Sequence, residues 1–164
     1  MPTAPTLPQH LARHFRQAYT GGSFSEKYLQ RELSGLTYRQ ATTRSGRGDT
    51  NSIAAIAYHL HFYVLGLETA LAGGTLDTRD AASWDTPAIE TQAQWDALVA
   101  EVLRVGAAFA KTLAALPEAE VWAPFYAPTN SSTFTNALGV LEHVYYHLGQ
   151  IVVIRKALGI PSGG

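Results

Sequence analysis

The amino-acid sequence predicts an all-α protein whose single domain, residues 1–164, folds as a four-helix bundle. Glycine and proline residues divide the chain into four long segments in which apolar side chains recur at helical spacing. No segment shows a convincing strand alternation, and no internal repeat is present. The length is that of one domain, and it is sufficient for a full hydrophobic core without stabilising cross-links.

The first predicted helix covers residues 7–19 and ends at a glycine pair. Its apolar stripe consists of Leu7, Leu11, Phe15 and Ala18. Residues 23–49 form a long, irregular and polar connection, with short helical pieces predicted at 26–33 and 38–43. A connection of this length argues against a simple short-looped topology between the first and second helices.

The second predicted helix begins after a cap at Thr50 or Asn51 and ends before the next glycine pair. For the third helix, Thr86 and Pro87 have the residue types of an N-cap and a first helical position. Pro117 ends that helix, because proline cannot continue it.

Residues 118–128 are rich in aromatic side chains and are predicted to be an extended connection. The fourth helix is predicted at 132–158, with Gly159 at the position after its C-cap. This helix is apolar nearly all round, which predicts burial on two sides.

Composition narrows the possible partners. Charged residues make up only 15% of the chain, against about 25% in an average domain, so we expect a second copy to cover some apolar surface in a homodimer. The net charge of −1 and the lack of a basic run argue against nucleic acid as a partner. The absence of cysteine excludes disulfides, cysteine nucleophiles and cysteine metal ligands.

The sequence also predicts a cytoplasmic protein without a membrane partner. Residues 1–10 have neither the basic nor the apolar region of a signal peptide. The most apolar C-terminal stretch is interrupted by Arg155 and Lys156, so no run of 18 apolar residues is present.

Histidines supply the most informative pattern. His143 and His147 are four residues apart, so they lie on one face of the fourth helix, and Gln150 lies on the same face one turn further. Because that helix is expected to be buried, two unpaired imidazoles would be costly unless they bind a divalent metal. The alternative is two ordinary histidines, hydrogen-bonded or exposed, and spacing alone favours neither.

A metal site needs a third ligand, and the second helix offers His59 and His61. Residues two apart lie about 200° apart around a helix, so the two rings cannot serve together. The side of His59 carries small residues that leave room for a pocket, whereas His61 shares its side with Glu68, which prefers solvent. We therefore favour His59 as the ligand and expect His61 at the surface or rim.

Other candidate patterns have simpler explanations. His10 and His14 repeat the spacing of the C-terminal pair, but they lie away from the buried stripe of the first helix. The tripeptide 47–49, Arg-Gly-Asp, is typical of a turn. No phosphate-binding loop, nucleophile elbow or HExxH motif is present, and Glu142 is expected at the surface rather than near a metal.

Four segments together resemble the DinB-like superfamily: residues 19–22, 52–60, 142–151 and 155–159. The segment 142–151 is the most specific of them. The resemblance implies a four-helix bundle that binds a divalent metal through one histidine of the second helix and an HxxxH pair of the fourth. These positions are filled here by His59, His143 and His147. Members of the family include thiol transferases and isomerases that use low-molecular-weight thiols.

We therefore expect a metal-dependent enzyme that transfers a thiol to a small electrophilic substrate. The alternatives are a metal-dependent hydrolase and a non-catalytic stress-response protein that binds metal or a small ligand. Zinc or nickel is the expected metal, iron and manganese also fit, and a low-molecular-weight thiol is the expected second cofactor. Three histidines would leave coordination positions open, as in catalytic sites. Gln150 is expected either to orient an imidazole or metal-bound water, or to bond a neighbouring helix.

Overall fold

The computed structural model describes residues 4–46, 50–75, 80–125 and 131–162. Within these ranges every regular element is a helix, and the extended backbone amounts to one isolated bridge between Pro124 and Ser132. The all-α prediction is confirmed. The predicted turn at 47–49 lies outside the described residues.

Four long helices and four short ones make up the described structure. The long helices are α1 (Leu7–Thr20), α4 (Ile53–Leu71), α6 (Gln92–Ala115) and α8 (Thr133–Ala157). The short helices are α2 (Leu29–Leu33), α3 (Tyr38–Thr42), α5 (Asp80–Ser83) and α7 (Glu118–Val121). The two short helices in the first connection lie within the predicted pieces, which shows that local periodicity was sufficient to find them.

Two of the predicted helix starts were wrong. Helix α4 is capped by Ser52, whose hydroxyl accepts a hydrogen bond from the Ala55 amide, rather than by the two residues before it. Helix α6 begins at Gln92, five residues after the predicted proline, because Thr91 and Gln94 form a reciprocal capping box. Two satisfied backbone donors outweigh the weaker preference of proline for a first helical turn.

The prediction for residues 118–128 was also wrong in part. Residues Glu118–Val121 form one helical turn, and extended backbone begins only at the bridge of Pro124. Acidic side chains in that turn, Glu118 and Glu120, favour a helix N-terminus through the helix dipole. Residues 126–130 lie outside the described residues.

Helix α6 packs between α1 and α4, and α8 packs against α4 and α1. The hydroxyl of Thr112 bonds Glu68, and His61 lies in the field of Glu101, so α4 and α6 run in the same direction. Parallel neighbours need a connection that returns along the full helix length. The 20 residues between α4 and α6 make that return and carry α5.

Helix α8 is less buried than its composition suggests. One side packs into the core with Val144, Leu148 and Ile151, but Leu138, Tyr146 and Val153 lie on an exposed stripe. By length and composition alone α8 could cross a membrane, a test that the core helix of a soluble protein also passes. Its buried side chains pack against α4 and α1. The prediction of burial on two sides is therefore only half correct.

Candidate metal centre

Three imidazoles meet between α4 and α8. His59 comes from α4, and His143 and His147 come from successive turns of α8. Their ring centroids lie 4.4–4.9 Å apart, and one nitrogen of each ring lies within 4.8 Å of the others. His59 and His147 are 3% and 4% exposed, and His143 is half-buried. We call these residues the histidine triad.

The connection after α4 holds the His59 ring. Its Nδ1 lies 2.8 Å from the Ser83 hydroxyl, and its face stacks on the Trp84 indole at 3.7 Å between centroids. The Ser83 hydroxyl donates its own hydrogen to the Asp80 carbonyl oxygen at 2.5 Å. Toward His59 that hydroxyl can therefore only accept, so Nδ1 carries the proton and Nε2 has the free lone pair.

His147 is held in the same protonation form by its own helix. Its Nδ1 lies 2.7 Å from the side-chain oxygen of Gln150, which can only accept, so Nδ1 is again the donor. The Nε2 atom of His143 is buried and has no hydrogen-bond partner. A buried nitrogen without a partner is unfavourable, and a cation bound at this point would remove that cost.

Burial keeps the triad neutral at pH 7. Desolvation is the largest cause in each ring, and together with the neighbouring imidazoles it lowers the pKa of His59 and of His143 to about 4. Asp80 opposes this shift only weakly. The pKa of His147 is also lowered by burial, against the opposing hydrogen bond to Gln150. Neutral imidazole is the form that ligates metals.

Two cavities lie beside the triad. One, of about 260 Å³, is lined by His143, Tyr63 and Asn136 among others. The second, of about 660 Å³, includes Gln150 and Tyr146 in its wall. Neither wall contains a lysine, arginine or carboxylate among the described residues, which favours an uncharged ligand.

Tyr63 connects the first cavity to the α5 segment. Its ring contacts His59 and His143 edge to face at 4.9 and 5.0 Å, and its hydroxyl donates to the Asp80 carboxylate at 2.8 Å. Burial and this hydrogen bond raise the pKa of Tyr63. The phenol therefore stays protonated at neutral pH. Its ring covers one side of the triad.

The remaining histidines lie elsewhere. His61 points toward Glu101 and Arg104 of α6, and its neighbour Glu68 is not solvated as expected but accepts a hydrogen bond from Thr112. His14 is exposed, as the sequence predicted for that helix face. His10 is half-buried and lies 3.4 Å from the Arg13 guanidinium.

Sequence reasoning missed three residues around the triad: Asp80, Ser83 and Trp84. They lie in an irregular connection with no helical periodicity, and no spacing relates them to His59. The signal in the sequence is the tryptophan, a large side chain in a segment that otherwise lacks apolar periodicity. In the structure Trp84 is half-buried and Ser83 is buried.

The donor set fits a divalent metal. Two rings are fixed with Nε2 free, and the third presents an orphaned buried Nε2. Three neutral nitrogen donors suit zinc, nickel or iron, and they leave room for further ligands in a coordination sphere. The triad could therefore hold a metal ion.

Comparison with known proteins places the chain in a family. A family model described as the DinB superfamily matches residues 23–151. No curated protein and no solved structure gives a significant match. The matched range includes the triad, Ser83 and Gln150. It includes neither residues 19–22 nor residues 155–159, so the resemblance of these two segments stays a prediction. Because the match covers more than half of the sequence and the fold is all-helical, the chain belongs to the DinB superfamily.

Proposed function

We propose that the protein is a metal-dependent enzyme whose histidine triad binds one divalent cation through the three Nε2 atoms. The observation that supports this proposal most directly is the buried Nε2 of His143, which has no hydrogen-bond partner. It faces two rings whose Nδ1 atoms already form hydrogen bonds with Ser83 and Gln150. Burial of unpaired polar atoms is selected against in a core that serves only stability. Zinc and nickel are the first candidates for the bound ion, and iron and manganese are the alternatives.

We further propose that the reaction joins a low-molecular-weight thiol to a small electrophile. A divalent metal at this position would supply charge that stabilises the thiolate form of such a cofactor. In the reaction the sulfur bonds to the electrophilic carbon, the leaving group departs with the bonding electrons, and the thiol proton passes to water. The support for this class is family membership together with cavity walls in which the described residues include no lysine, arginine or carboxylate.

The protein's own residues have positioning roles in this scheme. Trp84 and Tyr63 pack against two sides of the triad and reduce the access of water from those sides. Gln150 orients the His147 ring and also lines the larger cavity, so it is placed between the metal ligands and a substrate. Excluding water strengthens every electrostatic interaction at the site.

Metal analysis of the purified protein is the first test. We expect one divalent ion per chain in the wild type and in His61→Asn, a matched control on the same helix. His143→Asn should lose the ion while its helical content by circular dichroism is retained. Equal metal content in the two variants would contradict the triad as the binding site.

A thiol-conjugation assay tests the reaction class. We expect a low-molecular-weight thiol to displace the chloride of 1-chloro-2,4-dinitrobenzene, and we expect a chelator to abolish the reaction. Chelator-sensitive ester hydrolysis without thiol transfer would instead support a hydrolase. Bound metal with neither activity would support a non-catalytic binding protein.

A cytoplasmic homodimer completes the proposal. The exposed stripe of α8 includes Leu138, Tyr146 and Val153, whose side chains are 36%, 63% and 64% exposed. A symmetric contact through this stripe would bury them. Sedimentation at tens of micromolar should give twice the chain mass, and Val153→Glu should shift it toward the monomer, whereas a monomeric wild type would exclude the dimer.

A further inference from the structure

We propose that Ser83 is the positioning residue of His59: its hydroxyl selects the Nδ1–H form of the ring and thereby presents Nε2 to the triad. The inference deepens the proposed metal site and rests on it for its functional meaning. The tautomer itself is a property of the metal-free chain. It can therefore be tested whether or not a metal binds.

The direction of two hydrogen bonds carries the argument. Ser83 has one hydroxyl hydrogen, and its Oγ lies 2.5 Å from the Asp80 carbonyl oxygen, an atom that can only accept. The same Oγ lies 2.8 Å from His59 Nδ1. With its hydrogen committed to Asp80, the hydroxyl accepts from the ring. The α5 turn thus fixes which nitrogen of His59 is protonated.

The surroundings of Ser83 make this arrangement rigid. Its side chain is completely buried, and α5 packs against α4. The next residue, Trp84, stacks on the His59 face at an interplanar angle of 16°, which prevents the ring from turning over. At the other end of α5, Asp80 accepts from the Tyr63 hydroxyl. Three contacts from one short segment therefore act on His59 or on its neighbour one turn away.

A different role for Ser83 would be to close the α5 turn without acting on the ring. A second alternative is that the backbone of Ser83, which also forms a hydrogen bond with His59, holds the ring in place of the hydroxyl. In both alternatives the Ser83→Ala variant would leave the His59 tautomer unchanged. In our proposal the variant loses the acceptor and the bond that orients it, so the ring is released to its other neutral form.

Nuclear magnetic resonance of the metal-free protein at pH 8 measures the tautomer directly. The ¹⁵N shifts of the imidazole, assigned with His59→Asn, distinguish a protonated Nδ1 from a protonated Nε2. We expect Nδ1–H in the wild type and a shift toward Nε2–H in Ser83→Ala. Ser34→Ala is the matched control, because the Ser34 hydroxyl also donates to a carbonyl one turn back, that of Gln30, but far from the triad.

Zinc affinity supplies the second readout. By competition with a chromophoric chelator we expect Ser83→Ala to bind zinc about 10–100-fold more weakly, Ser83→Thr to recover most of the affinity, and Ser34→Ala to match the wild type. A wild-type His59 that is mainly Nε2–H, or a Ser83→Ala protein with unchanged tautomer and affinity, would overturn the proposal. A wild type that binds no zinc, nickel or iron would overturn the proposed function instead, and the tautomer experiment would still decide the role of Ser83.

Discussion

Two buried polar clusters lie along α8, and they are built in opposite ways. Near its end, the Arg155 guanidinium donates to the carbonyl oxygens of Glu32, Ser34 and Pro161 and lies 3.7 Å from the Glu32 carboxylate. In its middle, the triad consists of neutral rings, and the Nε2 of His143 has no partner. Glu32, Arg155, His59 and His147 are almost completely removed from solvent, whereas His143 is half-buried.

The difference separates a structural cluster from a ligand site. Arg155 is surrounded by acceptors from α2 and the C-terminal segment, so its charge is satisfied by the chain itself. The triad brings three imidazole nitrogens close together, each with a lone pair to donate. For the Nε2 of His143 the described structure supplies no hydrogen-bond partner. The charges of Arg155 and Glu32 compensate each other, which serves stability, although the Glu32 oxygens accept no hydrogen bond from the described residues. The triad instead groups three neutral nitrogens, one of them without a partner, and such a set could hold a cation.

Removing the guanidinium should have the largest effect. Arg155→Met leaves the fully buried Glu32 carboxylate with only Lys27, 3.6 Å away, so we expect a loss of about 3–5 kcal/mol in the free energy of unfolding. Urea denaturation measures this loss, and Lys156→Met is the exposed control. A loss below about 1 kcal/mol would show that the cluster is not structural.

Replacing a triad ring should leave the stability of the metal-free protein nearly unchanged and remove the stabilisation by zinc. His143→Leu removes an unpaired buried nitrogen, so the metal-free protein should stay within about 1 kcal/mol of the wild type. Zinc at 100 times its dissociation constant should stabilise the wild type by about 2.7 kcal/mol and this variant not at all. Thermal melts with and without zinc test both statements, and zinc stabilisation of the variant would refute them.

Gln150 should affect binding more than folding. Because its oxygen accepts from His147 Nδ1 on the same helix, Gln150→Leu should weaken zinc binding by about 10–100-fold and leave the fold intact. Had Gln150 served to join helices, the variant would lose about 0.5–1.5 kcal/mol of stability at unchanged affinity. A chelator titration beside a urea melt distinguishes these outcomes.

The metal-free protein should also lose stability at acidic pH. His59 and His143 have a pKa of about 4 when folded and about 6.5 when unfolded, so the unfolded chain binds more protons between these values. The free energy of unfolding should therefore fall as the pH decreases from 6.5 to 4. In urea melts across this range, His59→Asn/His143→Asn should show a shallower slope than His14→Asn, and equal slopes would contradict the low pKa values.

Much of this molecule follows from local sequence. The spacing of apolar residues predicted all four long helices, and the spacing of His143 and His147 placed them on one face, because helical periodicity depends on neighbours in the chain. The choice of His59 over His61 was based on the small residues beside His59 and on Glu68 beside His61, and the family resemblance implied the same residue. Metal binding by these three rings, the reaction, the partners and the location stay predictions.

Tertiary structure decided what local patterns could not. The starts of α4 and α6 depended on which of several threonines and serines found a backbone donor, and the exposed stripe of α8 depended on which helices pack against it. Ser83 and Trp84 contact His59, and Asp80 contacts Tyr63, because α4 and α6 run parallel and the returning connection crosses the His59 face of α4. A sequence records the order of residues along one chain, whereas this contact depends on the path of a connection through space.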